Sequence, residues 1–162
     1  MQASLSTHTI GCIGKCTTGL TVEELDQITD NINKTLSHPK GRQIFERYLQ
    51  RRNLQSSLEC LELYKTCSEF LAKELTQSKL KDSDLESLII NVTIVREIAE
   101  DLDGVPQIDM ALMERFNEAL TNKTREALLT VLEDTRDRSR DYLRNVHQSF
   151  KQYISEPCPI TK

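Results

Sequence analysis

Apolar residues recur every three or four positions along most of this chain, in blocks set apart by short polar stretches. Val22, Leu25, Ile28 and Ile32 make the first block. It opens at Thr21-x-x-Glu24, a capping box whose hydroxyl and carboxylate would satisfy orphan amides at a helix start. Ser37 and Pro39 mark the next helix, with Ile44, Phe45, Tyr48 and Leu49 on one face and proline in the tolerant first turn. The polar stretch RRNLQSS (51–57) follows. Leu58, Leu61, Tyr64, Cys67, Phe70 and Leu71 then hold helical spacing for over three turns, a third block.

Ser83-x-x-Glu86 forms a second capping box ahead of Leu85, Leu88, Val92, Val95, Ala99 and Leu102, and Gly104 with Pro106 stops that helix. A short helix with Leu112, Met113 and Phe116 comes next, then one over Thr124–Glu133. The charged run DTRDRSRD (134–141) interrupts the apolar pattern before a last helix with Tyr142, Leu143, Val146, Phe150 and Tyr153. No segment alternates with period two, so no strand is expected. The pattern predicts an all-α, single-domain bundle of about seven to nine helices. Residues 1–20 read as a flexible arm, 21–155 as the helical domain, and 156–162, with two prolines, as a tail.

Composition narrows the function more than the fold. With 162 residues, 38% of them hydrophobic, the chain can bury a core without metal or disulfides. A net charge of -4 argues against nucleic acid as a partner, although Lys40–Arg52 and Arg136–Arg144 are locally basic. No apolar run reaches the roughly 18 residues of a membrane span, and the start lacks the pattern of a secretory signal. Five cysteines at irregular positions, with Cys60 and Cys67 among apolar helical residues, suggest a reducing, cytoplasmic setting. Asn33, Asn91 and Asn122 begin N-x-T triplets, which carry weight only in a secreted chain.

Catalytic constellations are missing. The sequence has no Gly-rich phosphate loop, HExxH or GxSxG motif, and His8, His38 and His147 stand far apart. These observations point to a non-catalytic interaction domain that needs no metal and no cofactor. Cys12-x3-Cys16 lacks a second ligand pair for zinc. Two thiols beside Lys15 in an arm are also what dual S-acylation would use, giving peripheral contact with the plasma membrane. The plainer reading of Cys12 and Cys16 is two exposed thiols.

HPKGRQIFERYL followed by SLECLELYKTCSEF resembles the opening of the regulator of G-protein signalling (RGS) homology domain. Gly41, Phe45, Tyr48-Leu49, the polar loop and Leu58-Glu59 match its order of features. VPQID (105–109), LLTVLEDT (128–135) and SRDYLRNVHQSFKQYI resemble the later segments, so the likeness spans about residues 21–155. It implies a domain that binds the α subunit of a heterotrimeric G protein (Gα). Such a domain holds the switch segments in their transition-state shape, so that Gα's own residues hydrolyse GTP faster. The contact residues this implies are Asn53, Gln55, Ser57, Leu58, Gln107, Asp134, Thr135, Asp137 and Arg140.

The chain departs from the family's pattern at two of them. Ser56-Ser57 stands where the family has a Glu-Asn pair, and Gln107 where it has a second asparagine. An unpaired buried polar group costs about 1–3 kcal/mol, so two losses could remove most acceleration and still permit binding. The alternative is therefore an RGS-like scaffold that docks another signalling protein without accelerating GTP hydrolysis.

Overall fold

A computed structural model describes residues 21–76 and 82–155. It is all-α, with seven helices among the described residues: α1 (Val22–Ile28), α2 (Ile32–Ser37), α3 (Pro39–Arg51), α4 (Gln55–Thr76), α5 (Asp82–Glu100), α6 (Met110–Asn122) and α7 (Arg125–Ser155). The described chain divides into two compact units. The first runs to Gln55 and resumes at Leu143, and the second is Ser56–Tyr142. The arm with Cys12 and Cys16, and the tail from residue 156, lie outside the described residues.

In the first unit, Thr21 caps α1 as its sequence predicts: its hydroxyl accepts from Glu24 N–H at 3.0 Å, and the Glu24 carboxylate accepts from Thr21 N–H at 2.9 Å. The block through Ile32 is not one helix, however. α1 stops at Ile28, and Asn31 starts α2 by accepting from Lys34 N–H at 2.9 Å. His38 caps α3, its Nδ1 accepting from Lys40 N–H, with Pro39 in the first turn. Gly41 makes the corner between α2 and α3 feasible. A β-carbon there would lie 2.6 Å from the Thr35 carbonyl oxygen, a backbone atom that no rotamer change can move.

Phe45 and Tyr48 of α3 pack with Phe150 of α7, and the Phe45 and Phe150 rings meet edge to face with centroids 5.0 Å apart. Truncating a fully buried phenylalanine of this kind costs about 3–5 kcal/mol.

The core of the second unit joins Leu63, Cys67 and Leu71 of α4 with Leu88, Val92 and Val95 of α5. Leu112 and Phe116 of α6 and Leu128, Val131 and Leu132 of α7 complete it. α5 is already helical at Asp82, so Ser83 stands inside its first turn instead of preceding it. Arg125 and Glu74 form an ion pair at 2.6 Å with the carboxylate buried.

The charged run 134–141 is the main correction to the sequence reading. α7 continues through it unbroken for 31 residues. Thr135 and Ser139 carry the buried seam across the charged stretch; both are fully buried, and their hydroxyls donate to the carbonyls of Val131 and Thr135. Small hydroxyl residues can occupy a helix seam because the carbonyl four residues back satisfies them.

Candidate interaction site

Three segments of the second unit meet through side-chain hydrogen bonds. They are the start of α4, the connection 101–109 between α5 and α6, and the middle of α7. The Ser56 hydroxyl donates to the Asp103 carbonyl at 2.8 Å. Beside it Gly104 takes φ +77°, and a β-carbon there would crowd the Ser56 oxygen at 2.9 Å. The Cys60 thiol donates to the Ser139 carbonyl at 3.4 Å, tying α4 to α7.

Arg138 makes the remaining link. Its Nη1 donates to the Gln107 carbonyl at 3.0 Å and to Asp109 Oδ1 at 2.9 Å, while its Nε donates to Asp134 Oδ1 at 3.1 Å. Asp109 has a second task as the cap of α6, accepting from Leu112 N–H at 3.0 Å. That amide first, and the Arg138 guanidinium after it, hold the Asp109 carboxyl below its ordinary range. Charge-assisted hydrogen bonds of this kind are roughly twice as strong as neutral ones.

Not all the residues expected at the site face outward. Ser57 and Thr135 are buried, so neither side chain is presented to a partner in this conformation. Leu58, Gln107, Asp134, Asp137 and Arg140 are half-buried. Gln107 lends its backbone carbonyl to Arg138, and its side-chain Oε1 is buried without a hydrogen bond from the protein. Asp137 pairs with both Arg136 and Arg140, each at 3.1 Å. Asp134 is bridged by Arg115 and Arg138.

Asn53 and Gln55 belong to the first unit, and both are exposed. Asn53 has a backbone task. It adopts φ +56° just beyond α3, where Asn53 N–H donates to the Gln50 carbonyl and Leu54 N–H to the Leu49 carbonyl. This pair of bonds is a Schellman cap, and asparagine is among the few residues that enter the left-handed region readily. The connection within RRNLQSS is thus only Arg52, Asn53 and Leu54.

Sequence reasoning missed Arg138, Asp109 and Ser56 as organisers of this region. Two signals were present: Asp134 and Arg138 stand four apart on a helix, and Asp109 directly precedes an apolar block. Compared with known protein families, curated proteins and solved structures, the chain matches none. Among the described residues, no three His, Cys, Asp or Glu side chains cluster to hold a metal ion, and no helix is long and apolar enough to cross a membrane.

Proposed function

We propose that this chain is an RGS-like signalling domain that binds a Gα subunit in the cytoplasm. The observation that supports this reading is the convergence of the start of α4, the Gln107 connection and the middle of α7. An RGS-type surface requires these three segments to be neighbours, although they are far apart in sequence. The half-buried Asp134 side chain, already held by Arg115 and Arg138, would lose little further freedom on binding.

The burial of Ser57 and Thr135 favours a second reading, in which the domain docks Gα or another signalling protein without accelerating hydrolysis. A hydroxyl withdrawn into the core cannot brace a switch segment. Membrane attachment through acylated Cys12 and Cys16 remains part of the proposal, since both lie outside the described residues.

The test is binding of the purified chain to a panel of Gα subunits, loaded with GDP or with GDP and aluminium fluoride, alongside single-turnover GTP hydrolysis. Selective capture of the fluoride state with faster hydrolysis establishes a regulator. Binding indifferent to nucleotide state, with unchanged hydrolysis, establishes the scaffold. No binding to any Gα sinks the Gα reading.

A further inference from the structure

The first unit holds a groove of about 460 Å³ between the end of α3 and the late turns of α7, lined by Tyr48, Arg52, Leu54, Asn145, Val146 and Ser149. Its apolar surface comes from half-buried Leu54 and half-buried Val146, with the buried Tyr48 beneath. Asn145 and Ser149, four apart on α7, are exposed on its rim and make no hydrogen bond within the described residues.

Arg52 gives the groove its sign. Its guanidinium lies 5.6 Å from the Tyr48 ring centroid and 5.9 Å from that of Tyr153, so two aromatic faces orient it. It has no carboxylate partner among the described residues, whereas Arg136, Arg138 and Arg140 are all ion-paired. The lining contains this one cation and no acidic residue, in a chain whose net charge is -4.

We propose that this groove docks an acidic, aliphatic or aromatic peptide segment of a partner protein. A carboxylate of the segment pairs with Arg52, whose stacked fork is matched to bidentate recognition. Adjacent apolar side chains cover Leu54 and Val146, and the Asn145 amide and Ser149 hydroxyl bond the segment's backbone. A lipid surface fits less well, because a flat bilayer cannot enter a concave groove between helices. This site is independent of the Gα reading, since none of its six residues belongs to the surface proposed there.

The experiment titrates the full chain, isotopically labelled, with a capped twelve-residue peptide in which Glu pairs alternate with Leu-Phe pairs. Three controls accompany it: a Lys version, a version with Gly-Ser for Leu-Phe, and phosphatidylserine vesicles. Saturable nuclear magnetic resonance shifts at the Arg52 Nε–H and the Asn145 side-chain amide are expected with the first peptide, weakening as salt rises. Arg52→Glu should lower affinity at least tenfold, and Arg47→Glu, the same charge change outside the groove, less than twofold. Ser149→Tyr, which keeps Arg52 and fills the groove from an exposed helix position, should also lower it at least tenfold. The proposal is overturned by absent shifts, by equal binding of the Gly-Ser peptide, by binding to vesicles alone, or by wild-type affinity in folded Arg52→Glu and Ser149→Tyr.

Discussion

Two stretches of this chain look alike in sequence and fold differently. RRNLQSS and DTRDRSRD are both polar interruptions between apolar blocks, yet the first contains a true turn and the second is the middle of a helix. The difference lies in two kinds of residue. Asn53 can enter the left-handed region and close a Schellman cap. Thr135 and Ser139 instead meet the helix period with side chains small enough to bury and able to bond the preceding turn. Polarity alone does not end a helix. A residue that accepts positive φ ends α3 at Asn53 and α6 at Lys123.

The sharpest way to break this comparison is to place the same new charge in both stretches. Ser139→Asp puts an unpaired carboxylate at a fully buried seam position and should cost about 3–5 kcal/mol. Asn53→Asp, at an exposed site whose backbone aspartate also tolerates, should stay within about 0.5 kcal/mol. Urea unfolding of the two variants decides it, and similar losses would mean that α7 does not depend on its hydroxyl seam.

Further along α7 the seam holds another polar residue, His147. The Thr35 hydroxyl donates its proton to the Ile28 carbonyl, so at 2.8 Å it accepts from His147 Nε2–H, which fixes the tautomer. Burial first, and Lys151 next, lower the His147 pKa to about 4, with Asp30 opposing. Between that value and the ordinary 6.5, the unfolded chain binds the proton and the folded chain does not. Stability therefore falls as pH drops from about 6.5 to 4, by on the order of 3 kcal/mol. The His147→Gln variant should lack this component when unfolding is followed across that window. An unchanged pH slope would contradict it.

Smaller effects test the turns. Asn53→Val should lose about 1–2 kcal/mol because a β-branched residue resists positive φ, while Asn53→Gly should be nearly neutral. Lys123 ends α6 at φ +56° without asparagine's advantage. Lys123→Gly should therefore stabilise by about 0.5–1 kcal/mol, raising Tm by about 1–4 °C in a thermal scan.

Much of the helical framework was legible, because Thr21 with Glu24, Pro39 and the apolar periodicity carry local physical signals that tertiary packing did not override. The split between α1 and α2 was hidden because Ile28 and Ile32 stand four apart, as in one helix, although Asn31 caps a new one. α7 looked broken because threonine and serine read as polar while serving as core. At the candidate site, the sequence supplied the segments and not their fastening. Arg138 reaches Gln107 and Asp109 across about 30 positions, a long-range fact that no local pattern encodes. The order of segments in the chain points to Ser57 and Thr135 as contact residues, and only packing shows them turned inward.

The buried thiols of α4 make the second unit a recorder of its own openings. Desolvation pushes Cys60 and Cys67 up to about 12, so neither offers a thiolate at cellular pH while the fold is closed. Each can react with an alkylating reagent only when the helix is momentarily released. Mapping the rate of label uptake at these two positions, apart from the chain's other three cysteines, would time that release without any engineered residue.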